Sequence, residues 1–156
     1  MSSVQSLPTG GTWNRPENGL PELRGTEGRE RLEAQSGEDS VLVGGGSGDQ
    51  LVGAKGANTF KFEQPTDSLS NDPDTIFNFN PKQDEIDVSE MLKRQGMTAI
   101  NIQDEPPQNI GDVQVKHDAF GGSTLTIKVN AEGPNFLVRV DSTKLLPAHI
   151  KFFNDN

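Results

Sequence analysis

The sequence predicts an all-β protein, a short right-handed parallel roll continuing into a cap of mostly antiparallel strands. Three observations point there. A nine-residue recurrence of glycine and apolar residues runs from about residue 19 to residue 60. Short alternating apolar segments follow it up to the C-terminus. Glycine (17) and proline (10) are abundant in 156 residues of which 31% are hydrophobic, a balance that favours turns and strands over helices. That length suits one domain.

The repeat comes first. Gly19, Gly28 and Gly37 are nine apart, and Leu23, Leu32 and Val41 each follow by four residues. After one extra residue near Val43 the period resumes at Leu51 and Phe60. The nonapeptides read PENGLPELR, GTEGRERLE, AQSGEDSVL, GGGSGDQLV and GAKGANTFK. They follow G-G-x-G-x-D-x-U-x, with U a large apolar residue. The glycine half makes a turn that needs positive φ or close backbone approach. The x-U-x half makes a short strand with one side chain inward. Two nonapeptides complete a coil, so alternate repeats stack in parallel. Leu32, Val41, Leu51 and Phe60 are therefore expected inside.

Residues 1–15, rich in Ser, Gly, Thr and Pro, read as a flexible leader in which Trp13 could dock on the first turn. Residues 16–153 read as a single module: repeats over 16–62, a connecting segment over 63–98 and C-terminal strands over 99–153. Within the connection, Ser89 to Arg94 suits a short helix stopped at Gly96. AINIQ (99–103), DVQVK (112–116), STLTIKVN (123–130), NFLVRVD (135–141) and HIKFF (149–153) are the later strands. Ala131-Glu132-Gly133-Pro134 is a hairpin-type connection that favours antiparallel pairing.

Charge is uneven. The net charge of −9 lies wholly in residues 1–90, with 16 acidic and 7 basic side chains, while residues 91–156 carry 7 of each. Such a surface repels duplex DNA and anionic membranes, and no apolar window is long enough for a membrane-spanning helix. The absence of cysteine excludes disulfides and thiolate metal sites. Residues 1–11 lack the basic and apolar regions of a Sec-type signal, so export would use another route.

Catalytic patterns are missing. His117 and His149 form no HExxH motif. Ser123, His117 and Asp112 could be written as a triad, but no nucleophile elbow frames them. GGGSGD lacks the Lys-Ser/Thr of a phosphate loop, and Asp72-Pro73 reads as a turn. The expectation is a non-enzymatic protein.

The run GGGSGDQLVGAKGANTFKFE, followed by DTIFNFNPKQDEIDVSEML, resembles the end of repeats-in-toxin (RTX) exoproteins. There, a GGxGxD array leads into an ADTFVF-like strand and a DxIxDFxxxxDxIDLSxL segment. STLTIKVNAEG, FLVRVD and HIKFF resemble the strands that finish such domains, and the likeness spans about residues 25–153. Serralysin-type proteases, RTX lipases, adhesins and the R-modules of alginate epimerases end this way. The resemblance implies a secreted, extracellular roll stapled by Ca²⁺ and carried by the type I secretion apparatus.

In that family the sixth residue of each nonapeptide is an aspartate that helps hold calcium. Here the sixth positions are Pro21, Glu30, Asp39, Asp49 and Asn58, and stacking would pair Pro21 with Asp39, Glu30 with Asp49, and Asp39 with Asn58. No pair is Asp with Asp, so one or two weak calcium sites are expected. Asp67 and Asp74 flank the loop where the family often places a last ion. Asp84 and Asp87 are expected to cap turns.

Two other roles are open. Lys116, Lys128, Arg139 and Lys151 would suit a groove for an acidic polysaccharide if they share one face, as in the alginate-binding R-modules. Residues 1–16 have no acidic side chain before Glu17, which fits the leader of a small type III-secreted accessory protein.

Overall fold

The computed structural model describes residues 7–154. In chain order the elements are β1 (Thr12–Asn14), β2 (Glu22–Arg24), β3 (Arg31–Glu33), β4 (Ser40–Val43), β5 (Gln50–Val52) and β6 (Asn58–Lys61). They continue with β7 (Asp74–Phe77), β8 (Glu85–Asp87), α1 (Ser89–Arg94), β9 (Asn101–Ile102) and β10 (Asp112–His117). The last three are β11 (Ser123–Ile127), β12 (Phe136–Val140) and β13 (Ile150–Lys151).

Successive strands of the repeat alternate between two sheets. One sheet is ordered β1-β2-β4-β6-β8-β13, the other β3-β5-β7-β12-β11-β10-β9. Within the roll β2, β4, β6 and β8 stack in parallel, as do β3, β5 and β7. Each short strand sends its central side chain inward. Leu23, Leu42, Phe60, Ile86 and Ile150 form one file, in register from strand to strand. Leu32, Leu51, Ile76 and Val140 form the facing file. All nine are buried in one hydrophobic core, and closing these two files on each other is the apolar gain that holds the roll together.

This register corrects the sequence reading at one coil. Leu42, not Val41, is the inward residue: Leu42 is fully buried, whereas Val41 is only half-buried. The extra residue lies between Leu32 and Leu42 rather than near Val43, in the turn carrying Gly37 at φ 92°. Leu32, Leu51 and Phe60 are fully buried as expected.

Beyond the roll, β10, β11 and β12 form an antiparallel meander whose last strand joins β7 in parallel. The outer strands AINIQ and HIKFF shrink to two residues each, β9 and β13, and both pair in parallel. Long connections bring these strands back in the direction of their neighbours, and residue alternation carries no information on that. α1 ends as expected, with Gly96 at φ 72° and its N–H donating to Lys93 O at 3.0 Å.

Part of the expected leader is structured; its first six residues lie outside the described residues. The N–H of Gly10 donates to Arg31 O and the N–H of Arg31 to Pro8 O, while β1 runs antiparallel to β2. Trp13 lies opposite Leu23 and packs against the core, with the Arg15 guanidinium 4.6 Å from its ring centre.

Candidate metal centre

Every coil places one side chain two residues before its inward apolar residue, at the mouth of the turn. On one edge of the roll this position is held by Pro21, Ser40, Asn58 and Asp84; on the other by Glu30, Asp49 and Asp74. The shifted register moves Asp39 out of the series. It is exposed, it accepts the N–H of Ala57 at 2.8 Å, and Ser40 stands opposite Asn58 in its place. The expected pairs Pro21–Asp39 and Asp39–Asn58 are therefore replaced by Pro21–Ser40 and Ser40–Asn58. Glu30–Asp49 is kept, and Asp74 extends that edge.

The Ser40 edge is closed by hydrogen bonds. Asn58 Nδ2 donates to Ser40 Oγ at 3.2 Å, and Asn58 Oδ1 accepts the N–H of Ala54 at 2.9 Å. Asp84 accepts the N–H groups of Asn58 and Asn80, both at 2.8 Å. Asp87 likewise accepts the N–H and hydroxyl of Ser89. Neutral side chains and backbone donors satisfy this edge.

The Glu30 edge differs. Glu30 bends onto its own turn, where Oε1 accepts the N–H of Thr26 at 2.5 Å and the Thr26 hydroxyl at 3.0 Å. Asp49 Oδ1 accepts the N–H of Glu30 at 2.9 Å, and Asp74 Oδ1 accepts the N–H of Asp49 at 2.8 Å. Asp49 Oδ2 and Asp74 Oδ2, however, are buried with no hydrogen-bond partner. Both face the space beside Gly44: a methyl group there would sit 2.7 Å from Asp49 Oδ2 and 3.1 Å from Asp74 Oδ2. Glu30, Asn58 and Asp84 each close their turn by accepting the N–H four residues back. Asp49 and Asp74 leave that oxygen free.

Two unpartnered carboxylate oxygens in a shared pocket are costly unless a proton or a cation joins them. Burial pushes Asp49 up to about 8, with the Glu30, Asp67 and Asp72 charges adding to the rise and the Glu30 N–H opposing it. Burial also drives Asp74 well above the usual carboxylate range, and the neighbouring charge of Asp49 adds to it. Asp67 is raised by burial too, although its Oδ2 accepts the N–H groups of Glu63 and Gln64.

Among the described residues no three acidic or histidine side chains form a compact metal cluster. A calcium centre does not require one, since backbone carbonyls supply much of its six- to eight-oxygen shell. The hard oxygen donors and the free pair beside Gly44 fit calcium at Asp49 and Asp74. The Ser40–Asn58 edge does not fit it, because its polar atoms already have partners. Asp74 was among the sequence candidates as a loop residue; its place two residues before Ile76 is the signal for its membership in the ladder.

The proposed basic face is divided. Lys116, Thr124, Arg139, Thr75, Gln50 and Arg31 form one transverse row across the larger sheet. Lys128 follows the end of β11 and continues the half-exposed alternation of Thr124 and Thr126. Lys151 belongs to the other sheet, on β13, so it does not join them.

Nor do Ser123, His117 and Asp112 assemble into a triad. His117 lies opposite Ser123, but Ser123 Oγ donates to Thr143 O and accepts the N–H of Leu145. His117 Nε2 is 2.8 Å from Leu145 O, and Asp112 sits at the far end of β10, accepting the N–H groups of Gln108 and Asn109. His149 Nδ1 accepts the N–H of Leu146.

Two stacked sheets of nonapeptide strands, with side chains from alternate turns ranked along each edge, define a β-roll repeat module. The chain belongs to the family described as Peptidase M10 serralysin C terminal, whose model matches residues 36–150. Among solved structures, the chain is similar to the AlgE6R2 subunit from the Azotobacter vinelandii mannuronan C5-epimerase. That match has a TM-score of 0.63 at 26% identity, over 85% of this chain and 82% of that one. The AlgE6R3 subunit of the same enzyme matches with a TM-score of 0.52 at 27% identity, over 84% of this chain and 77% of that one. Comparison with curated proteins gives no match.

Proposed function

We propose that this chain is a secreted, non-catalytic β-roll module that binds one calcium ion at Asp49 and Asp74 and so supports the folding and type I export of an exoprotein. The carrying observation is the pair of buried oxygens, Asp49 Oδ2 and Asp74 Oδ2, without donors. Neutralising that pair when calcium is bound would remove a repulsion inside the roll, so ion binding stabilises the folded state alone. Glu30 and Asp67 shape the site's field, while Asn58 holds the opposite edge without metal. A chain that gains this stabilisation only where calcium is millimolar would stay looser before export. Membership of the serralysin C-terminal family supports the secreted location.

Calorimetric calcium titration beside circular dichroism tests the metal step. One binding event lost in Asp49→Asn is expected; no heat and no change in melting would overturn it. Export is tested by deleting the last twenty or so residues and, separately, residues 1–16. Loss on the first deletion alone supports the type I route; loss on the second alone supports type III.

A second reading is favoured by one observation. On the smaller sheet Arg24 is paired with Glu63 and Lys61 with Glu90. On the larger sheet Lys116, Lys128 and Arg139 have no ion-pair partner among the described residues. Lys151 on the smaller sheet also lacks such a partner, but three cations on one sheet suit an acidic polysaccharide lying across it, and the similar subunits come from an enzyme acting on mannuronan.

A further inference from the structure

The edge that carries Asp49 and Asp74 is built in three layers. The first, residues 26–29, packs on the second, residues 44–48. Ser47 Oγ donates to Glu27 O at 2.7 Å, and a methyl group at Gly45 would run into Thr26 O. The second packs on the third, the end of the loop before β7. A methyl group at Gly48 would lie 2.6 Å from Asp72 Oδ1 and 2.8 Å from Pro73 O. The middle layer also holds Gly44, beside which Asp49 Oδ2 and Asp74 Oδ2 stand without partners.

One ion pair spans the middle layer. Arg29 Nη2, from the first layer, reaches Asp72 Oδ1, in the third, at 2.9 Å. Among the described residues no other ion pair joins these turns. Other acids surround it. Glu27 lies over Gly46, where a methyl group would meet its carboxylate, Glu30 closes the first turn, and Asp67 is buried in the loop. Of this group only Asp72 has a basic partner. Burial is the main cause of the raised Asp49 and Asp74, and the Asp72 charge adds to both. Asp72 thus belongs to the field of the metal centre, although neither free oxygen is its own.

A divalent ion feels each fixed charge twice as strongly as a proton does. An arginine that cancels one carboxylate at the rim therefore works against cation binding, while relieving repulsion among the acids when no ion is bound. We propose that Arg29 is a resident counter-cation that holds down the calcium affinity of the Asp49–Asp74 centre by neutralising Asp72. It makes no bond to either free oxygen and acts through charge. The proposal rests on the calcium reading above and deepens it, because a partly cancelled field makes the site fill at a higher calcium level than its carboxylates alone would set.

Calorimetric calcium titration of the full chain at about 0.01 M and about 1 M ionic strength tests it, beside thermal melts in chelator and strand dichroism to check the fold. At low salt Arg29→Gln should tighten calcium binding about two- to fivefold, and Asp72→Asn should weaken it by a similar factor. The double variant should lie near the unmodified chain, and high salt should shrink all these differences. Arg29→Lys should keep the unmodified affinity, since it retains the charge and gives up only the guanidinium fork. In chelator at low salt, Arg29→Gln should melt at a lower temperature. Unchanged or weaker calcium binding by folded Arg29→Gln overturns the proposal and leaves the pair as a strap between turns. Arg29→Lys behaving like Arg29→Gln overturns it as well. Complete loss of binding in Asp72→Asn makes Asp72 a ligand and also overturns it. No calcium binding by the unmodified chain overturns the metal reading and this one together.

Discussion

Asp74 Oδ1 accepts the backbone N–H of Asp49 at 2.8 Å, which fixes one buried carboxylate against the next along a single edge of the roll. Each is then short of a partner for its second oxygen. The fold has placed like charges where only a proton or a cation can reconcile them.

The first prediction is a pH dependence that calcium removes. Asp49 is raised to about 8 in the folded protein, against an ordinary value of about 4 in the unfolded chain. The folded state therefore holds the extra proton between those values. Its contribution to stability is complete below about pH 4 and is lost as pH rises through about 8. In chelator, thermal melts should fall from pH 5 to pH 8, by at most about 1.4 kcal/mol per pH unit for one proton. Millimolar calcium should flatten that slope.

Asp49→Asn should have opposite effects in the two conditions. In chelator above pH 7 it removes a strained charge and should raise the melting temperature. With calcium it should abolish most of a rise worth about 1–2 kcal/mol for a weak site in millimolar ion. Asp74→Asn should behave alike, whereas Asp39→Asn should leave the calcium response intact.

Gly44→Ala tests the pocket by filling it. The added methyl would lie 2.7 Å from Asp49 Oδ2 and 3.1 Å from Asp74 Oδ2. Calcium affinity measured by calorimetry should drop about tenfold or more, equivalent to at least about 1.4 kcal/mol, with strand dichroism kept.

The register predicts an asymmetry between neighbours. Leu42→Ala opens a cavity in the inward file and should cost about 2–5 kcal/mol in chemical denaturation. Val41→Ala, on a half-buried side chain pointing the other way, should cost less than about 1 kcal/mol.

Asn58→Asp would place a carboxylate beside the Asp84 oxygen that bonds the Asn58 N–H, and would remove the Nδ2 bond to Ser40. In chelator at pH 7 it should destabilise by about 1–3 kcal/mol. A calcium-dependent recovery larger than that of the unmodified chain would mark a second site on this edge.

Much of the roll was readable because its strands are so short that one apolar residue per nonapeptide carries the pattern. Leu32, Leu51 and Phe60 could be placed from spacing alone. The coil at residues 40–43 could not, because Val41, Leu42 and Val43 are all apolar and the period does not say which turns inward. The one-residue shift also hid the ladder: Asp39 looked like a ligand, while Ser40 has the position. Asp74 and Asp84 escaped the repeat because the loop over 63–73 interrupts the count and neither follows a glycine-rich turn. The rule that does find them is local, a polar residue two before an inward Ile76 or Ile86. Pairing direction at β9 and β13 lay beyond reach, since it is decided by chain connections and not by alternation.

The N-terminal segment crosses both sheets at the same end, pairing with β3 near Gly10 and then with β2 through β1. Parallel coils are templates: an uncovered first coil presents unpaired backbone groups to any strand of matching pitch, including that of another copy. Here one edge is already paired and the other meets a strand of opposite polarity, so a second roll cannot dock there in continuous parallel register. The far edges, β9 and β13, offer only two residues each. Among the described residues, a module made of stackable parts thus presents no long parallel edge on which a fibre could grow.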